Sequence, residues 1–206
     1  MPYIWSFKMQ KRYFYTGFIF TTFMLTLYIV NNGVAIAHRG HDGPKKVFME
    51  EGEALKTMMP EGGKIIKRKE ILKKWKYNET LKKWGYSPEE GVYTYFISKD
   101  KEGKLLGILF IRSIEYKHGE IELAIGYDSN GYTKDIKILS CPAKYVTDIT
   151  ENIITNGFLE NFLHLKTDNI IAKSKEYDKE PEDSIQSLIV KEIKGSAILI
   201  KIFQGL

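Results

Sequence analysis

The chain has 206 residues, with 31 Lys and Arg against 26 Asp and Glu, for a net charge of +5. Its single cysteine, Cys141, excludes an intrachain disulfide, a haem-attachment pair and a cysteine-bound iron–sulfur or zinc cluster. Any redox cofactor would therefore be organic.

Lys8, Lys11 and Arg12 precede an 18-residue run, Tyr13 to Val30, that holds no charged residue. Asn31-Asn32-Gly33 breaks the run, and the small-residue site Ala35-Ile36-Ala37 follows. The order basic, apolar, small-x-small is that of a secretory signal. The run is also just long enough to cross a bilayer. Residues 1–37 are thus expected to be a cleaved signal peptide or a retained membrane anchor. Both place the cationic end inside and the working domain outside the cytoplasm, in the periplasm or on the outer membrane face. This leader takes three of the five net charges, so the overall charge says little about partners.

Residues 38–46 are polar, with two glycines and a proline, and read as a tether. His38 and His41 are candidates for loose metal binding, but a flexible tail is the simpler account. The remainder, 47–206, is one domain by length. A short helix is expected over Glu50–Met59, with Ala54, Leu55, Met58 and Met59 as its apolar side and Pro60 ending it. A second is expected over about Lys69–Trp84, with Ile71, Leu72, Trp75 and Leu81 near one stripe and Gly85 as its stop. From Lys64 to Lys83 nine Lys and Arg face only Glu70 and Glu79. Such a face suits an acidic redox protein or an anionic lipid surface. Export argues against nucleic acid, and a solvated helix face is the plainer reading.

Strand patterning begins near residue 92. Val92–Ser98 is aromatic and β-branched, Asp100–Lys104 is a turn, and Leu105–Glu115 is a long apolar run. Glu120–Tyr127 alternates Ile121, Leu123 and Ile125 with Glu120 and Glu122. Asp128-Ser129-Asn130-Gly131 is a hairpin turn, and Thr133–Ser140 returns as the next strand. Helical spacing resumes at Thr147–Thr155 and at Phe158, Leu159, Phe162 and Leu163. Lys166–Asp183 reads as a charged loop. Ser184 is the expected N-cap of a closing helix with Ile185, Leu188, Ile189, Ile193, Ala197 and Ile200 on one side and Gly205 at its end. Helices before and after an antiparallel meander make this an α+β fold.

No hydrolase, metalloprotease or nucleotide-binding motif is present, and His118 and His164 are isolated. Cys141, before Pro142, reads as a buried small hydrophobe. Gly195-Ser196-Ala197 falls within the closing helix and reads as a packing notch.

The second half nevertheless has a pattern. Lys117-His118-Gly119-Glu120-Ile121 opens a strand ending in Gly126-Tyr127-Asp128. Gly131, then Ile136-Lys137-Ile138-Leu139, then Gly157-Phe158-Leu159-Glu160-Asn161-Phe162 follow. This layout resembles the FMN-binding domain of subunits of sodium- and proton-translocating redox complexes and of related exported flavoproteins. Glu53-Ala54-Leu55 with Met59-Pro60 is similar to that family's leading helix. The resemblance spans residues 47–206 and implies an extracytoplasmic, membrane-associated electron carrier with FMN.

The family's attachment element is Asp-x-x-(Ser/Thr)-Gly-Ala-(Thr/Ser), with FMN esterified to a hydroxyl there. Here the corresponding stretch is Asp178-Lys179-Glu180-Pro181-Glu182-Asp183-Ser184-Ile185-Gln186-Ser187. The resemblance implies Asp178, Ser184 and Ser187 as cofactor-binding residues, with Ser184 as phosphate anchor. Pro181, Glu182 and Asp183 depart from the pattern. A carboxylate ~5 Å from a phosphate costs about 3 kcal/mol at an effective dielectric near 20. The same acids suit an empty helix N-terminus. They argue against covalent attachment and for an alternative: a flavin-free exported module of the same fold that acts through residues 64–83. An electron carrier is expected over a hydrolase or metalloenzyme, because no nucleophile–base or metal-ligand spacing is present.

Overall fold

The computed structural model describes residues 43–73, 78–86, 88 and 90–206. The expected signal or anchor, residues 1–37, lies outside them, as does Trp75. Among the described residues, no helix is long and apolar enough to cross a membrane.

Six strands form one antiparallel sheet: β1 (Lys45–Val47), β2 (Lys64–Leu72), β3 (Gly91–Lys99), β4 (Leu105–Glu115), β5 (Glu120–Asp128) and β6 (Thr133–Pro142). Their spatial order is β1-β6-β5-β4-β3-β2, so β2 to β6 are a meander and β1 adds to the far edge. Helix α1 (Glu51–Met58) precedes the meander and α2 (Asn78–Trp84) interrupts it after β2. After the meander come α3 (Val146–Ile149), a π-turn over Thr150–Thr155, a 3₁₀ turn over Phe158–Phe162, α4 (Thr167–Ser174) and the closing helix α5 (Ile185–Gln204). The fold is α+β, with helices before and after an antiparallel sheet.

The alternation seen in the sequence divides the sheet into two faces. Ile108, Phe110 and Ile114 of β4 join Ile121, Leu123, Ile125 and Tyr127 of β5 on the inner face. There Ile189, Ile193, Ala197 and Ile200 of α5 pack over them. Each of the isoleucine, leucine and phenylalanine side chains among them contributes about 1.5–3 kcal/mol when fully removed from water. The outer face is thinner: Ala54, Met58 and Met59 cover Phe96, Leu109, Ala124 and Leu139. The Asp128–Gly131 turn forms as its residues dictate. Asp128 Oδ1 accepts from the N–H of Asn130 at 2.8 Å and of Tyr132 at 2.9 Å, and Gly131 takes φ +79°.

Three expectations are corrected. Lys69–Trp84 is not one helix: Lys64–Leu72 is an edge strand, and the described helix is Asn78–Trp84. Ile71 and Leu72, which share a helical stripe, therefore point to opposite sheet faces, 62% and 2% exposed. The tether is shorter than 38–46, because Lys45 and Lys46 belong to β1 and pair with Pro142 and Cys141. The charged loop Lys166–Asp183 contains α4, whose Ile170 and Ile171 are buried and whose Thr167 hydroxyl donates to the Ala197 carbonyl at 3.1 Å.

The β4–β5 turn is held from outside. Lys117 takes φ +54°, costly for a residue with a Cβ. Its ammonium lies 4.6 Å from the Tyr116 ring centroid, 5.3 Å from that of Tyr145 and 3.7 Å from Asp148. Tyr116 Oη donates to Asp148 Oδ2 and Asn152 Nδ2 to Asp148 Oδ1, both at 2.6 Å. The phenol's hydrogen bond, with help from Asn152 and Lys117 and against partial burial, holds the Asp148 carboxyl below its usual range. A depressed carboxyl stabilises the fold above its unfolded pKa, near 4, and that stability is lost as pH falls through the folded value. Asp148→Asn is therefore expected to lower stability at neutral pH and to flatten the decline below about pH 4, as read by urea midpoints across pH.

Candidate functional site

The first turns of α5 build one wall of a cleft. Ser184 is its N-cap, accepting from the Ser187 N–H at 3.2 Å, and its Oγ lies 3.0 Å from Ser187 Oγ. From that start the helix places Ser187, Lys191 and Lys194 four and three residues apart, along one face. Opposite stand the end of α4 and the loop after it, which bring Ser174, Tyr177, Asp178, Glu180 and Glu182. Gly85 and Tyr86, after α2, close the third side. The cleft is open on its remaining side and measures about 610 Å³, within the range that holds a nucleotide-sized ligand.

Two of the three residues singled out in the sequence, Asp178 and Ser187, meet in this cleft. The third, Ser184, is spent on capping its own helix. An ester at Ser184 would keep an oxygen that accepts at the helix start, but Glu180, Glu182 and Asp178 line the adjoining cleft with negative charge. The residues present do not fit a covalent phosphate ester at Ser184.

The cleft nevertheless carries two kinds of recognition chemistry. Tyr177 presents a ring braced edge-on against Phe158 at 5.4 Å and against Phe162 at 5.8 Å. Burial raises its phenol above the ordinary 10; Lys173 opposes this, while Glu176 and Glu180 add to it, so the ring stays neutral. Tyr86 is seated by Gly195, where a Cβ would lie 2.3 Å from the phenol oxygen, so the small-residue stretch of α5 is a notch for an aromatic wall. Lys191 and Lys194 supply positive charge, and neither forms an ion pair with a described residue. Among the described residues no His or Cys lines the cleft, and its polar groups are carboxylates, hydroxyls and two ammonium groups.

Sequence reasoning missed Tyr86, Tyr177, Lys191 and Lys194. The i, i+4, i+7 spacing of Ser187, Lys191 and Lys194 was available as a signal; the tyrosines reach the site only through tertiary packing. The basic run 64–83 is also redistributed. Strand alternation sends Lys67 and Lys69 to the outer sheet face and Lys64 and Arg68 to the inner, where Arg68 pairs with Glu70 at 3.2 Å. Lys82 and Lys83 belong to α2. Among the described residues, no group of His, Cys, Asp and Glu is arranged to hold a metal ion.

Replacing the cap isolates its structural role. Ser184→Ala is expected to lower stability by about 1 kcal/mol, measurable as a shift in the urea midpoint with unchanged slope. In comparison with known proteins, the chain matches no protein-family model, no curated protein and no solved structure.

Proposed function

We propose that this domain is an extracytoplasmic, membrane-associated electron-transfer module that holds FMN noncovalently in the α5 cleft. The observation that carries the reading is the pairing, in one cleft, of two tyrosines with two cations that lack ionic partners among the described residues. An aromatic ring bearing a phosphate asks for that combination. Tyr86 and Tyr177 flank the ring system, and Lys191 and Lys194 attract the phosphate. Asp178 and Ser187 offer polar contacts to the sugar-like chain between them. Bound FMN would supply the redox chemistry, and the protein's part is to hold, orient and partly shield it.

A flavin-free module of the same fold is the second reading, favoured by the Ser184 cap and the acidic rim of Asp178, Glu180 and Glu182. Titrating FMN fluorescence with the full chain in detergent separates them. Saturable quenching, released on denaturation, is expected. Two charge-assisted contacts of about 1.5 kcal/mol each imply that Lys191→Glu with Lys194→Glu weakens binding roughly a hundredfold. Ser184→Ala should leave the affinity unchanged. Absence of binding at millimolar FMN would establish the flavin-free reading, and colour that survives denaturation would restore a covalent ester.

A further inference from the structure

The β2–β3 pair is an arm that leaves the sheet. β2 pairs with β3 along its whole length, from Lys64–Lys99 to Leu72–Gly91. β3 in turn pairs with β4 only from Phe96–Leu109 to Lys99–Leu105. Beyond Phe96 the distal half, Arg68–Leu72 with Gly91–Tyr95, has no third strand among the described residues. Its inner side is fastened to the core: Leu72, Tyr93 and Tyr95 are buried, and the Tyr95 ring stacks on Phe203 of α5 at 5.7 Å.

The outer side is different. Ile71 and Val92 are direct cross-strand partners and are 62% and 61% exposed; Ile65, further along, is 40% exposed. Between them stand Lys67 and Lys69, and no acidic residue occupies this face of either strand. Lysines on an edge strand are explained by protection against edge-to-edge pairing. That account does not cover Ile71 and Val92, which form an apolar pair that the fold leaves in water. Neither Lys67 nor Lys69 forms an ion pair with a described residue, and Lys67 lies 5.5 Å from the Phe96 ring centroid. Apolar side chains interleaved with such cations suit one partner chemistry in particular: an anionic bilayer surface, with the apolar groups entering the interface and the lysines at the headgroups.

We propose that the outer face of the β2–β3 arm docks on anionic lipid. The inference rests on the reading that residues 13–30 hold the chain at a membrane. The 12 residues between Val30 and Gly43 reach at most about 40 Å, which gives the arm a high effective concentration at the bilayer surface. Only a few interfacial contacts are then needed. Docking there would also fix the domain's orientation toward a membrane-bound electron donor or acceptor, while the α5 cleft is built from other elements.

The test uses the full chain with Val92→Cys carrying an environment-sensitive fluorescent maleimide; Cys141 is buried and leaves the label to position 92. The protein is mixed with phosphatidylcholine vesicles with and without phosphatidylglycerol, and both flotation and emission are read. The expected result is flotation with both vesicles, with the emission blue-shifted only where phosphatidylglycerol is present, and reverting at high salt. A label at exposed Glu102→Cys should not respond. At about fivefold per lysine, Lys67→Gln with Lys69→Gln should lower the docked-to-undocked ratio roughly twenty-five-fold. Flotation with a water-like emission from position 92 in both vesicles would overturn the docking and leave the anchor standing. Flotation and a blue shift only with phosphatidylglycerol would support the docking and overturn the anchor. Failure to float with either would overturn both. A blue shift that instead follows protein concentration without lipid would reassign the face to a second copy of the chain.

Discussion

The inner face of the sheet depends on one helix lying across it. The 20 residues of α5 span about 30 Å, and Ile189, Val190, Ile193, Ala197, Ile198, Leu199 and Ile200 along them are buried. The helix is also tied at intervals by polar contacts. Near its first third Glu192 accepts from Arg112 of β4 at 2.7 Å, an ion pair about one-fifth exposed on either side. At its end Gln204 donates to the Tyr95 phenol at 2.7 Å, and the Tyr95 ring lies between Phe110 and Phe203. Its register on the sheet is therefore fixed at both a charged and an aromatic point, and the cleft at its N-terminus inherits that register.

That inheritance makes the cleft a product of the fold. Lys191 and Lys194 belong to the helix that packs the core, yet lie on its outer flank, so their charges stand where the apolar stripe turns away from the sheet. Tyr177 is positioned by Phe158 and Phe162, themselves buried under the sheet edge. Thr133 donates to the carbonyls of Phe162 and Leu165, which links that aromatic trio back to the start of β6. A ligand in the cleft would thus touch groups fixed by three separate parts of the core.

The meander and the closing helix were legible because local pattern and tertiary demand agree there. Leu105–Glu115 was read with its bounds, and Ser184 and Gly205 mark the helix as their chemistry requires. The end of β2 was misread because Ile71 and Leu72 fall with Trp75 and Leu81 near one helical stripe, and the lysines among them are good helix formers. The strand exists because β3 offers nine residues of antiparallel partner, a non-local fact that no window of sequence contains. Helix α4 was missed for the converse reason: its apolar content is little more than Ile170 and Ile171, and packing on α5 holds it rather than intrinsic propensity. Of the cleft, Asp178 and Ser187 were found through a family resemblance, while its aromatic walls come from segments nearly a hundred residues apart in the chain.

The early parting of β3 from β4 has a consequence for motion. A ladder that ends at Phe96 leaves Gly91–Tyr95 bonded on one side only, so the distal arm is kept closed by its buried tyrosines and Leu72 rather than by a continuous sheet. Amide protons there exchange through a local opening that the central strands need not share. The tip of the arm, Ile71-Leu72 with Gly91-Val92, is therefore expected to exchange its amides sooner than β4, β5 and β6, while Tyr95, stacked between Phe110 and Phe203, stays with α5.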